Sequence, residues 1–323
     1  PVRSRRGALL LAAGGALGLA GPAARAAESW PPRTLRFIVP FTPGGPTDAV
    51  SRLLGLRLAE VLNTGVVIEN HGGAGGTLGM ERLSRAPADG SAIGLGTTGT
   101  HAINRYLYAR LPYDPVAGFT PLSAMAEYGN MLVVRADHPA RDLPALIEAA
   151  RRGGVSYASA GNGSTNHLSG ELLRIRTGAA FAHVPFRGSG PAMAEVVAGR
   201  VDCMFDTLAA MPQVEAGRVR VLAVTGPARH RLLPDTPTVA ETLPGYEVVG
   251  WFGAFAPPGL PDAVAVPLGA ALRTALRSPD FAERLRGMGF EPASGTPEDL
   301  AGRVARDDAL WGPVIRSAGL RPE

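Results

Sequence analysis

Two segments of the chain combine glycines, hydroxyls and an acid in a pattern that could hold a small anion. The first is Pro40-Phe41-Thr42-Pro43-Gly44-Gly45-Pro46-Thr47-Asp48. The second is Tyr157-Ala158-Ser159-Ala160-Gly161-Asn162-Gly163-Ser164-Thr165-Asn166-His167-Leu168-Ser169. Each follows a short apolar run and precedes a stretch of helical periodicity, so each reads as a strand passing through a glycine turn into a helix. In the first, Gly44 and Gly45 let the main chain approach a ligand, and Pro46 suits the first helical turn because its missing N–H would be unpaired there anyway. Phe41 and Pro43 belong to the same approach. The amides of that turn and the positive end of the helix dipole favour a carboxylate by about 0.3–1 kcal/mol, and more when partly buried. Asp48 reads either as a first-turn acid stabilising its own helix or as an acceptor that fixes a loop, a water or a ligand amine. In the second segment Gly161, Asn162 and Gly163 make the turn, Ser159 and Ser164 offer hydroxyls, and Ser164, Thr165 or Asn166 could cap the helix. His167 would be a general base only beside a nucleophile; otherwise it is a helix residue hydrogen-bonded to a loop. A Val at Gly44 or Gly163 is expected to weaken binding by crowding the ligand's approach.

Other candidates stand at strand ends, where open α/β sheets bind ligands. These are Thr97, Thr98 and His101, and Asp206, which could orient a ligand hydroxyl, ammonium or water or could cap the next segment. Arg187 could clamp a carboxylate or support its loop, and Trp251 and Phe252 could wall a cleft or pack inside it. The catalytic readings are weaker. There is no G-x-S-x-G elbow. All 32 basic residues are arginine, which removes every mechanism that needs a lysine amine. The run His71-Gly72-Gly73-Ala74-Gly75-Gly76-Thr77-Leu78-Gly79 places Leu78 where a dinucleotide fingerprint starting at Gly73 needs its third glycine. The one cysteine, Cys203, and six scattered histidines show no local metal-ligand spacing. No catalytic residue, cofactor or metal is therefore expected.

The elements that must position these residues alternate short β-branched runs with helical patterns, the signature of α/β architecture with a mostly parallel sheet. Strands are expected at 35–40, 66–69, 91–96, 131–135, 155–159, 182–186, 201–205, 219–225 and 246–255, with helices between them and a helical tail. The plan repeats in two units joined by two extended connections, as in a hinged protein that binds a ligand between lobes. We place lobe 1 at residues 27–134 and 250–323 and lobe 2 at 135–249. Residues 1–26 read as an export signal: Arg3, Arg5 and Arg6, an apolar run from Ala8 to Ala20, and small residues around Arg25, with cleavage expected after Ala26. The twin-arginine and general secretory routes both fit. Those residues hold four arginines and no acid, so the 32 bases less these four equal the 28 acids of the whole chain. A formally neutral body excludes nucleic acid as a partner, since that binding depends on clustered cations.

Several of these runs, in this order, are similar to the substrate receptors of tripartite tricarboxylate transporters, the Bug receptor family. They are Val39 to Asp48, Val67-Ile68-Glu69-Asn70-His71-Gly72-Gly73-Ala74-Gly75-Gly76, His101-Ala102-Ile103-Asn104, Tyr157 to His167, and Val184-Pro185-Phe186-Arg187-Gly188-Ser189-Gly190-Pro191-Ala192. The chain departs at His71-Gly72, where that family commonly has Arg followed by Pro. The resemblance implies a two-lobed periplasmic-binding-protein type II fold, acting as a monomer in the periplasm. It implies that the protein closes on a small organic carboxylate and hands it to the membrane permease subunits of the transporter. It also implies that backbone amides and waters from the two glycine loops hold the carboxylate. A receptor that presents its closed form to a membrane signalling partner is the alternative reading.

Overall fold

The structure is a computed structural model and describes residues 30–317. The expected export signal lies outside the described residues. The chain begins with β1 (Thr34–Val39), α1 (Pro46–Leu62), β2 (Gly65–Asn70), α2 (Thr77–Ser84), β3 (Ala92–Thr97) and a short α3 (Asn104–Leu107). A long strand, β4 (Thr120–Arg135), leads to α4 (Leu143–Gly153), β5 (Val155–Ser159), α5 (Thr165–Thr177), β6 (Phe181–Pro185), α6 (Ser189–Val197) and β7 (Cys203–Thr207). Then come α7 (Met211–Glu215), β8 (Val219–Val224), α8 (Val239–Thr242), β9 (Val249–Ala256), α9 (Asp262–Leu276), α10 (Pro279–Gly287), β10 (Glu291–Pro292) and α11 (Pro297–Ser317).

The strands form one continuous sheet in the order β2-β1-β3-β9-β4-β7-β5-β6, with β8 and β10 also paired to β4. Within each half the pairs β1/β2, β1/β3, β5/β6 and β5/β7 are parallel. Between the halves the sheet is antiparallel, because β9 runs against β3 and β4, and β4 runs against β7 and β8. The expected mostly parallel sheet thus holds inside each half and reverses where the halves join. The cause is β4: its 16 residues pair with β9 from Thr120 to Gly129 and with β7 from Asn130 to Val134. The periodicity gave only its last five residues, since Ser123, Glu127 and Gly129 interrupt the apolar pattern earlier. Strand β7 also lies two residues later than expected, running through Asp206 and Thr207.

Each half buries its own core. Leu35, Phe37, Leu54, Ile93, Phe252 and Leu272 pack in the first, and Tyr157, Leu168, Phe205 and Leu222 in the second. Two segments that the sequence reading assigns to lobe 1 pack into the second core: Ile103 and Leu107 of the α3 region, and Trp311 and Ile315 of α11. Helix α11 is held to the sheet by a polar contact, because the Trp251 indole on β9 donates to the Asp307 carboxylate at 2.6 Å. Asp307 is buried, and burial raises its carboxyl pKa; the indole bond and the neighbouring Arg303 and Arg306 pull it back. Replacing the indole by a ring without a donor leaves a buried acid short of a partner. Trp251→Phe is therefore expected to lower unfolding free energy by about 1–3 kcal/mol, measured by urea denaturation; an unchanged midpoint would show that the bond adds nothing.

Candidate functional site

Three helices start on the facing surfaces of the two halves. Helix α1 is 17 residues long, with Gly45 as its N-cap, Pro46 in its first turn and no side chain capping that end. Helix α5 starts at Ser164, whose hydroxyl accepts the His167 N–H at 3.3 Å. Helix α6 starts at Gly188, again with no side-chain cap. All three open on one cavity of about 40 Å³, walled by Thr47, Thr165, Asn166 and Ser189 from these helix starts. Phe41, Thr42, Gly45, Pro46, Thr97, Gly99, Tyr128, Ala160, Ser164, Thr207 and Phe252 complete it. No charged side chain lies on that wall. One water needs about 10–15 Å³, so the cavity takes a small polar group rather than a whole metabolite. Thr207 is buried at 3% exposure, and its hydroxyl has no hydrogen-bond partner among the described residues. The Tyr128 hydroxyl stands 3.4 Å from Thr165 Oγ1. The arrangement offers N–H and O–H groups and the positive ends of helix dipoles, a combination suited to an anion in a site of low dielectric.

The loops meet at glycines, with little side-chain bulk between them. Thr42 Oγ1 donates to the Arg187 carbonyl at 2.8 Å. A Cβ on Gly188 would strike that same threonine hydroxyl, one on Gly75 would strike the Asn162 carbonyl, and one on Gly99 would strike the Gly163 carbonyl. The second loop is also tied from below by two imidazoles. Gly163 N–H donates to His167 Nδ1 at 3.2 Å, and Gly161 N–H donates to Ser159 Oγ at 3.1 Å. Ser159 Oγ lies 2.6 Å from His183 Nε2. The two rings stack with centroids 4.1 Å apart. Burial, then the nearby Arg174, lowers His167 to about 4. Burial, then His167, lowers His183 to about 3, against an opposing pull from Glu171. Both rings are neutral at neutral pH, and His167 Nδ1 is then free to accept.

The structure sorts the expected site residues into three groups. Phe41, Gly45, Thr97 and Ser164 line the cavity. Ser159, Gly161, Asn162, Gly163 and His167 build the second loop behind it rather than its wall. Asp48 does the same for the first loop: its carboxylate accepts the Gly44 N–H at 3.0 Å and pairs with Arg52. Burial pushes Asp48 upward, but the bonds from Arg52, Gly44 and Asn70 outweigh it, so its carboxyl lies below the usual range. Pro43 is exposed at the loop tip. The rest lie apart. Thr98 Oγ1 accepts the Trp251 N–H at 3.0 Å. His101 is fully buried, its ring stacked 3.9 Å from that of Phe255 and tilted against that of Phe119 at 4.9 Å, and burial lowers it to about 3. It packs an aromatic cluster away from the cavity. Asp206 and Gly44 face a neighbouring groove instead. Sequence reasoning missed Thr207, Tyr128 and Ser189 as wall residues. Ser189 had a readable signal, since Pro185 to Ser189 repeats the strand, glycine, helix device of the other two loops.

Two lobes joined by crossing strands, with helix starts aimed into a cleft between them, define a solute-binding protein. Residues 50–320 match the profile of the tripartite tricarboxylate transporter family receptor. The chain belongs to that family. BugT of Bordetella pertussis is 33% identical over 309 residues, 94% of each chain. A protein of Pseudomonas sp. strain P51, encoded between tcbD and tcbE, is 40% identical over 293 residues, 89% of this chain and 87% of its own. Among solved structures, periplasmic binding protein BugD matches with TM-score 0.87 and 34% identity, covering 91% of this chain and all of its own. Rpa4515 of R. palustris, solved with adipate, gives TM-score 0.88 and 38% identity over the same shares. MatC of Rhodopseudomonas palustris, solved with malate, gives 0.85 and 35% over 88% of this chain and all of its own. The family is one of solute-binding receptors, not of enzymes. Among the described residues no helix is long and apolar enough to cross a membrane.

The glycine and pH behaviour are both open to measurement. Gly44 and Gly163 have φ of +85° and +78°. A Cβ on Gly44 would meet nothing, whereas one on Gly163 would strike Asn104 Oδ1. Whatever such side chains do to a ligand, they add backbone strain at Gly44 and loop displacement at Gly163 within the protein itself. Gly44→Ala is expected to cost about 1 kcal/mol of stability from positive φ, and Gly163→Ala more; equal costs in urea melts would contradict the contact at Asn104. Neutral buried histidines contribute stability that is full above their unfolded pKa of about 6.5 and is lost as pH falls toward 4 and 3. Asp206 acts oppositely. Burial raises it to about 6, offset in part by Thr207 and Ser189, so its contribution is full below about 4 and is lost as pH rises through 6. Asp206→Asn is expected to stabilise the protein at pH 7.5 by on the order of 2–3 kcal/mol and to steepen its loss of stability between pH 6 and 4. A variant whose pH profile parallels the parent's would refute the buried charge.

Proposed function

We propose that the chain is an exported, periplasmic receptor that captures a small organic carboxylate between lobe 1 (27–134 and 250–323) and lobe 2 (135–249). It then delivers the ligand to the membrane permease subunits of a tripartite tricarboxylate transporter. The observation that carries this reading is the convergence of the α1, α5 and α6 starts on a single uncharged cavity, with the unpartnered Thr207 hydroxyl on its wall. A carboxylate placed there gains oriented N–H and O–H donors without the desolvation cost of a buried arginine partner. Adipate and malate in the related structures are both small organic acids, which supports the same ligand class here. Family membership supports the permease partners.

Recognition through donors alone makes the negative charge of the ligand essential. Removing the charge while keeping the shape leaves the same N–H groups facing a weaker acceptor, a loss of roughly 1.5–3 kcal/mol for a hydrogen bond to a charged group. Calorimetry with an acid that binds, and then with its methyl ester, is expected to show one reversible site without turnover. The ester should bind at least tenfold more weakly. Equal affinity for acid and ester, or product formation from the ester, would overturn the reading.

A further inference from the structure

The cavity adjoins a larger groove. Gly45, Pro46 and Ser189 line both the 40 Å³ cavity and an adjoining groove of about 860 Å³ between the lobes. A cavity of 40 Å³ holds a head group only, and at these three residues the groove is its immediate neighbour. Its walls are chiefly apolar. Met193 and Val197 come from α6, Leu208 from the turn after β7, Met211 from α7 and Met288 from the end of α10. Three of the chain's seven methionines therefore face it, contributed by both lobes. Methionine is unbranched and polarisable, and it adapts to apolar groups of varied shape. Val197, Met211 and Met288 are only half-buried, so part of this apolar surface is uncovered in the protein alone. Charged groups stand at two places. Glu215 and Arg218 are exposed. Asp206, 3% exposed, is the one buried charged group on the groove wall, and it neighbours Thr207 of the cavity.

We propose that the groove receives the apolar tail of the ligand, so that the substrate class is an amphipathic monocarboxylate, a straight-chain or aromatic acid with one charged end. This inference rests on the carboxylate reading of the cavity and adds what lies beyond it. The head is held by helix starts and the tail by Met193, Val197, Leu208, Met211 and Met288. A second carboxylate at the far end would exchange water for an apolar wall beside Asp206, where like charge and desolvation both oppose it. Each methylene that enters the groove removes apolar surface from water, worth about 0.8 kcal/mol, or roughly fourfold in affinity.

The test is calorimetry on the purified protein with butanoate, hexanoate and octanoate, and with adipate and malate. Affinity is expected to rise by about fourfold per methylene along the series, with hexanoate at least tenfold tighter than its dicarboxylic counterpart adipate. Two groove variants locate the effect: Ala194→Trp, which fills the groove from an exposed position on α6, and Ala198→Glu, which makes its wall polar from the exposed end of the same helix. Each is expected to weaken octanoate by at least tenfold and to leave butanoate within twofold. Butanoate binding also reports that the variant is folded. A series flat in chain length, adipate equal to or tighter than hexanoate, or octanoate unaffected by both variants would each overturn the groove assignment while the carboxylate site stands. If none of the five acids binds, the proposed function fails and this inference fails with it.

Discussion

Close approach of glycine backbone to the facing loop across the cleft is the constraint on which the rest of this structure depends. Gly75 lies against the Asn162 carbonyl, Gly99 against the Gly163 carbonyl and Gly188 against the Thr42 hydroxyl, each at a separation that no Cβ would permit. Only glycines allow turns from two lobes to come that near. The nearness brings the starts of α1, α5 and α6 onto one small cavity. A helix start acts on an anion only within about its first turn, so a side chain's width of extra separation would leave three weak, solvent-screened dipoles. Together they form a site able to hold negative charge without a cation on its wall.

Holding the loops at that spacing requires support from groups that never face the cavity. Asp48 and Arg52 brace the first loop through the Gly44 amide. The stacked pair His167 and His183 braces the second through Gly163 and, by way of Ser159, Gly161. These groups are polar because loop amides need acceptors, and His167 and His183 are neutral because they are buried. In the sequence Asp48 and His167 read as candidate ligand-binding residues, and in the structure each accepts a hydrogen bond from a loop amide. The long β4 and the crossing β9 have a similar part at larger scale. Both strands run between the halves of the sheet, so bending near Gly129 and Val249 would change the gap between lobes while each core stays intact.

Much of the fold was readable because it follows from local periodicity. Parallel strands such as Val155–Ser159 are short apolar runs bounded by turns, and α1 places Val50, Leu54 and Leu58 on one buried face. The two glycine loops were readable for the same reason, since the strand, glycine and helix signals are all local. What was not readable depends on distant residues. His101 looks like a strand-end ligand until Phe119 and Phe255 arrive from elsewhere in the chain to enclose it. Tyr128 and Thr207 reach the cavity through β4 and β7, whose early residues and register alternate too weakly to be placed from pattern alone. The groove is farther still from legibility, because its wall is assembled from α6, α7 and α10 in two lobes.

The central claim is that main-chain donors at opposed helix starts hold the ligand's acid group. A crystal structure of the protein with a bound carboxylate tests it most directly, through the distances from the two carboxylate oxygens to the nearest nitrogen atoms. The account predicts at least one oxygen within hydrogen-bond distance, or one water away, of the Thr47 or Asp48 amide, and another similarly placed on Thr165, Asn166 or Ser189. A carboxylate paired instead with an arginine guanidinium, remote from all three helix starts, would contradict it.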